Sequence, residues 1–196
     1  MTMLATLLER GAAAAPTVDR DRFFGRIRVN PFGGTLKQSQ VDGCNVLLDA
    51  WEARPAFSDP RWLAYMLATA KWETAHTMQP IEEYGKGQGR PYGVAVNGHV
   101  YYGRGYVQLT WAVNYAKMAA LSGADLVNRP EFALDPATAA LVMFEGMRSG
   151  LFTGVGLPVF FNERRDDPIG ARRIINGTDH AEEIAAIHAG FLKALT

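Results

Sequence analysis

Leu63-Ala64-Tyr65-Met66-Leu67-Ala68-Thr69-Ala70-Lys71-Trp72-Glu73-Thr74-Ala75-His76 is the stretch that decides the fold. Asp59 before it is suited to an N-cap and Pro60 to the first helical position. Trp62, Leu63, Met66, Leu67 and Ala70 recur at helical spacing, so one inner face of a helix is predicted, running to about Thr77 and stopping before Pro80. Glu73 then lies in the last turns. There the negative end of the helix dipole disfavours a charged carboxylate and tends to raise its pKa. A second acidic pair follows in Pro80-Ile81-Glu82-Glu83-Tyr84-Gly85. Polar side chains then crowd into Tyr101-Tyr102-Gly103-Arg104-Gly105-Tyr106-Val107-Gln108-Leu109-Thr110, with Asn114-Tyr115 just beyond.

Outward from this stretch the signals are mostly helical. Val41, Cys44, Leu47, Leu48 and Trp51 form one stripe of a helix from about Ser39 to Ala53, which Pro55 ends. Upstream, Phe23, Phe24 and Ile27 precede a loop at Asn30-Pro31-Phe32-Gly33-Gly34. Thr2 to Arg10 reads as a short first helix, followed by a Gly-Ala segment to Pro16. Downstream, Asn97-Gly98 between Tyr92–Val96 and His99–Tyr102 predicts a β-hairpin. Thr110 is placed to cap a helix from Trp111 to Leu121, ended by Gly123. Asp135-Pro136 opens another, closing near Gly150, and Leu151 to Phe161 reads as a glycine-broken loop. Asp167-Pro168 starts a short helix through Ile175, and Asn176-Gly177 makes a turn. Asp179 with Glu182 resembles a capping pair for the last helix, to Leu195.

The chain has 196 residues, a size that fits one domain with its own core. At 48% hydrophobic and 20% charged it is a folded globular chain, not a disordered one. Lys+Arg and Asp+Glu each number 20, so net charge gives no argument for nucleic-acid binding. The lone Cys44 cannot form an internal disulfide and reads as a buried thiol. No apolar run reaches the ~18 residues of a membrane span. Glu9 and Arg10 interrupt the start, which lacks the basic region of a signal peptide. Synthesis in a reducing cytoplasm, no stable membrane insertion and a monomer are expected.

Hydrolysis of a glycosidic bond needs a protonated carboxylic acid and a second, ionised carboxylate. Glu73 suits the acid, and Glu83 or Glu82 on the following polar loop suits the base. An inverting enzyme holds the two roughly 6.5–9.5 Å apart to admit a water. Arg104 between glycines can sit where backbone approaches a ligand, or can pair with a glutamate. Tyr84, Tyr101, Tyr102, Tyr106 and Trp111 suit either sugar stacking or core packing. The four histidines, His76, His99, His180 and His188, lack ligand spacing, so no metal and no cofactor are expected. Gly85-x-Gly87-x-Gly89 follows no strand and lacks the phosphate-loop lysine.

At these residues the chain resembles glycoside hydrolase family 19, the chitinases and related phage-type endolysins. Tyr101-Tyr102-Gly103-Arg104-Gly105 followed by Gln108-Leu109-Thr110 is the specific piece. Supporting pieces are Gln38-Ser39-Gln40-Val41-Asp42-Gly43, Glu73-Thr74-Ala75, Thr77-Met78-Gln79-Pro80-Ile81, Asn114-Tyr115 and Ile175-Asn176-Gly177-Thr178-Asp179. The resemblance implies Glu73 as general acid, Glu83 (or Glu82) as base and Thr110 as holder of the attacking water. It implies Gln108, Asn114 and Asn176 along the sugar cleft, and Glu82, Tyr102 and Arg104 are counted with them as binding residues. It also implies inversion at the anomeric carbon, no metal and a mainly α, lysozyme-like two-lobed fold. Trp72 stands where the family usually has histidine.

The expected arrangement is one catalytic domain over residues 1–196, with residues 1–20 an N-terminal extension and 33–195 the family-like core. The expected function is cleavage of bacterial cell-wall peptidoglycan, as an endolysin or muramidase released to the wall. The alternatives are a chitinase acting on N-acetylglucosamine polymers and an inactive glycan-binding module.

Overall fold

The central element is a helix that is apolar all round. In the computed structural model, which describes residues 17–196, every side chain from Leu63 to Lys71 is buried in helix α3 (Pro60–Glu73). The expected single inner face is therefore too narrow, because a helix enclosed on all sides must be apolar on all sides. Its N-terminus is as predicted: Asp59 caps it by accepting from the Arg61 amide, and Pro60 occupies the first turn.

The other helices wrap this one. They are α1 (Arg20–Val29), α2 (Gln38–Glu52), α4 (Ala112–Ser122), α5 (Pro136–Ser149), the single turn α6 (Leu157–Phe160) and α7 (Ala181–Leu195). The most extensive packing is α3 on α7, followed by α1 on α7 and α2 on α5. Short 3₁₀ turns lie at Pro91–Gly93, Pro130–Leu134 and Gly170–Ile174. Strands are minimal: β1 (Ile81–Glu82) pairs antiparallel with β2 (Arg104–Gly105), and β3 (Phe161–Asn162) with β4 (Arg165–Asp166). The fold class is thus mainly α with two small antiparallel strand pairs, and Cys44 is wholly buried in α2, where burial pushes its thiol pKa up.

Several local expectations are corrected. Asn97 and Gly98 do make the turn, with φ of 52° and 81°, but only Val96 and His99 bridge across it. The flanking Val94 is exposed and finds no surface to pack on, so no ladder extends. The residues that pair instead are far apart in sequence. Helix α1, with Asp19 as its cap, stands where only a lead-in to a loop was read. Its apolar stripe is narrow, with Phe23 and Ile27 buried among arginines and aspartates. The stretch Leu151–Phe161 contains α6. The helix expected after Asp167 is the 3₁₀ turn Gly170–Ile174. Trp111, not Thr110, caps α4, and His180, not Asp179, caps α7; neither uses its side chain to do so. The helix expected over Thr2–Arg10 lies outside the described residues. Among the described residues, no helix is long and apolar enough to cross a membrane.

Candidate active site

Glu73 is the last residue of α3, four residues earlier than the expected helix end. Thr74 stops the helix: its hydroxyl donates to the Ala70 carbonyl at 2.7 Å and accepts the Met78 amide at 3.1 Å. Ala75, His76 and Met78 then adopt left-handed backbone, which is costly for residues with a Cβ. The start of α2 holds this turn in place. The Gln40 amide donates to the His76 carbonyl at 2.8 Å, and Gly43 lets the Met78 carbonyl reach the helix. A Cβ at Gly43 would lie 1.7 Å from that oxygen. The Gln38–Gly43 motif therefore serves the acid indirectly, by clamping the chain just after it.

Glu73 opens onto a cleft of about 450 Å³. Its walls include Glu73, Tyr92, Gln108, Thr110, Trp111, Asn114, Phe152, Thr153 and Asn176. Five of the residues chosen from the sequence thus meet at one place: Glu73, Gln108, Thr110, Asn114 and Asn176. Thr110 is free to face the cleft because Trp111 takes the cap position with φ 72°. The Gln108 amide donates to the Ile81 carbonyl at 3.0 Å. Gly103 makes room for it, since a Cβ there would lie 2.7 Å from the Gln108 Oε1.

Glu83 is fixed by two donors. The Tyr92 hydroxyl reaches Oε1 at 3.1 Å and the Gly103 amide reaches Oε2 at 3.2 Å. Tyr92 lines the cleft, so Glu83 stands one hydrogen bond behind its wall rather than on it. Tyr92 itself sits edge-on to Trp111, with ring centroids 5.6 Å apart. Trp111 is 46% exposed and forms an aromatic rim.

Three expected binding residues do not line the cleft. Glu82 lies in a separate hollow, salt-bridged to Lys86 at 2.9 Å and accepting from the Tyr102 hydroxyl at 2.8 Å. Those two donors hold its pKa below the usual carboxylate range. Tyr102 is spent on that bond and on Arg104, whose guanidinium lies 3.6 Å from its ring centroid. Arg104 is only 6% exposed; it donates to the Tyr115 hydroxyl at 3.0 Å and to the Val100 and Tyr102 carbonyls. It makes neither the expected ligand contact nor the alternative glutamate pair. Its flanking glycines serve internal packing, because a Cβ at Gly105 would sit 2.8 Å from the Ala133 carbonyl. Of the aromatic candidates, Tyr101 and Tyr106 are core residues, Tyr84 is exposed on the separate hollow, and only Trp111 lines the cleft.

Sequence reasoning missed Arg172. Its Nη1 contacts Glu73 Oε1 at 2.5 Å, and its Nε donates to the Asp179 carbonyl at 2.9 Å. The guanidinium is 4% exposed and the Glu73 side chain 15%. Nothing in the local sequence distinguishes Arg172 from the neighbouring Arg173.

Solved structures of similar shape were found over nearly the whole chain. A chitinase C from Streptomyces griseus HUT6037 superposes with a TM-score of 0.64 at 23% identity, covering 94% of this chain and 95% of that one. A glutamate-to-glutamine mutant of chitinase C gives 0.61 at 21% identity, with the same coverage. The fold is that of the family 19 chitinases. A third structure, titled as a bacterial family 19 chitinase that differs from plant enzymes, gives 0.61 at 23% identity over 92% of this chain and 95% of that one. At the level of sequence, no protein-family model and no curated protein matches. The likeness to the family 19 chitinases is thus one of fold.

Proposed function

We propose that this protein is a glycoside hydrolase that uses two carboxylates on a polysaccharide containing β-1,4-linked N-acetylglucosamine. The convergence of Glu73, Gln108, Thr110, Asn114 and Asn176 on one cleft carries this assignment. Chitin-type polymers are the leading substrate, because the three solved structures compared above are chitinases. Peptidoglycan, expected first from the sequence, offers the same linkage to the same groups and is the competing substrate.

In the proposed step, Glu73 gives its proton to the glycosidic oxygen as the bond to the anomeric carbon breaks. Arg172 holds Oε1, which leaves Oε2 to carry that proton. Thr110 holds a water that attacks the anomeric carbon from the opposite face. Glu83 receives the water's proton through the Tyr92 hydroxyl, which takes it from the cleft side as it passes its own proton to Glu83, and the Gly103 amide keeps Glu83 oriented. Arg172 then stabilises the carboxylate that proton transfer leaves on Glu73, restoring the ion pair of the free protein. Trp111 offers an aromatic face to a sugar ring.

The test measures product release from soluble chitin oligomers and from purified peptidoglycan, with wild type and Glu73→Gln. Turnover of chitin oligomers is expected, with an inverted anomer as first product and a loss of about 10²–10⁴-fold in Glu73→Gln. Turnover of peptidoglycan alone would replace chitin as the substrate. Binding to either polymer without turnover by wild type would make the protein a glycan-binding module. Full activity of Glu73→Gln would reject the acid.

A further inference from the structure

Trp72, immediately before Glu73, is covered by a residue that no motif singled out. The His180 ring lies against it with centroids 4.8 Å apart and planes at 41°. His76 meets the same indole edge-on at 6.1 Å. His180 caps α7 with φ 54°, a left-handed conformation that strains a residue bearing a Cβ, and its side chain makes no capping bond. Glycine would make the same turn without that strain. What the imidazole contributes must therefore lie in what its ring touches. Besides Trp72, that is Glu183 Oε1, 3.2 Å from Nδ1, and the Asp179 carboxylate, 3.6 Å from Nε2.

These contacts close a circle. His180 is bonded through one peptide to Asp179, whose carbonyl accepts from Arg172 Nε. Arg172 Nη1 holds Glu73. Glu73 is bonded through one peptide to Trp72, whose ring packs on His180. Every join in the circle is either a peptide bond or a direct contact. The same segment carries Asn176, which lines the cleft.

We infer that Trp72 and His180 act as a clamp, two positioning residues that fix the Asp179 carbonyl and through it seat Arg172 against Glu73. This ring contact ties the segment after the 3₁₀ turn Gly170–Ile174 to the end of α3, so that guanidinium and carboxylate meet in one geometry. This deepens the proposed function and rests on Glu73 being the acid. Small displacements of such a pair are expensive for turnover while leaving Gln108, Thr110 and Asn114, carried by other segments of the cleft, in place.

The full chain is compared with His180→Gly, His180→Phe, Trp72→Ala and Glu73→Gln. His180→Gly relieves the backbone strain, so its melting temperature should hold or rise. Its kcat should nonetheless fall about tenfold, with KM within about twofold, and Trp72→Ala should do the same. His180→Phe, which keeps a ring on Trp72, should restore most of the rate. A second readout needs no substrate: the Arg172 Nε–H resonance in a proton–nitrogen spectrum, assigned by its loss in Arg172→Lys. It should be protected from exchange in wild type and His180→Phe, and unprotected in His180→Gly. An unchanged kcat and a still-protected resonance in His180→Gly would overturn the clamp. Failure of His180→Phe to recover either readout would overturn stacking as its cause. If Glu73→Gln turns over like wild type, the acid assignment falls, and the Arg172 resonance still decides the clamp.

Discussion

Replacing Arg172 by methionine removes the cation that touches Glu73 while keeping most of the side-chain volume. The pair is largely buried, with side-chain exposures of 4% and 15%. Removing one partner of a buried pair costs about 3–5 kcal/mol, because the other charge stays behind without compensation. Glu73 stands at the edge of a cleft that water can enter, so about 3 kcal/mol applies here. The lost bond from Nε to the Asp179 carbonyl adds about 1 kcal/mol. A total of about 4 kcal/mol corresponds to a fall in Tm of about 8–16 °C for a domain of this size. Adding Glu73→Gln removes the stranded charge. The double variant should therefore be more stable than Arg172→Met alone, at a cost of about 1–2 kcal/mol relative to wild type. Urea unfolding followed by far-UV circular dichroism, on wild type, both single variants and the double, measures the coupling. Additivity of the two single changes to within about 0.5 kcal/mol would refute the ion pair as a stabilising, coupled unit.

Tyr92→Phe removes the hydroxyl that orients Glu83 and should lower kcat about tenfold, the worth of one hydrogen bond to a charged group; an unchanged pH–rate profile and rate would show that Glu83 needs no such support. Gly43→Ala places a methyl against the Met78 carbonyl and should cost about 3 kcal/mol by thermal melting; a loss below about 1 kcal/mol would mean the turn after Glu73 yields easily. Burial lowers the pKa of His188 below its ordinary 6.5, with Asp166 pulling the other way. Between that lowered value and 6.5 the unfolded chain binds more protons, so stability rises with pH through this window and levels off above it. His188→Phe keeps the ring packed against Phe161 and Tyr65 and should remove this share of the slope; urea midpoints measured from about pH 5 to about pH 7.5 would contradict it if the two slopes coincide.

The legible parts of the fold were those written in local patterns. Asp59-Pro60 announced the start of α3, and Asp135-Pro136 announced α5. The stripe of α2 reported its buried face, and Asn97-Gly98 reported its turn. Strand pairing was illegible, because Ile81–Glu82 and Arg104–Gly105 are too short to show any alternation and meet only through the surrounding helices. The cleft residues were nameable from their motif, but the motif made no distinction between Gln108, which faces the cleft, and Arg104, which faces the protein. That difference depends on the backbone at Gly103 and Gly105 and on the ring of Tyr102.

By itself, the sequence determined that this is a mainly helical fold in which the helix opened by Asp59-Pro60 carries Glu73 in its last turns, since periodicity and capping are properties of neighbours along a chain. It also marked Glu73, Gln108, Thr110, Asn114 and Asn176 as a set. Only the tertiary structure decided that Arg172 reaches Glu73, that Glu83 is held by Tyr92, and that His180 lies on Trp72. Each of these joins residues from separate elements. Which side chains meet there follows from how α3 and α7 pack and how the intervening turns are bent, and no local pattern encodes those distances.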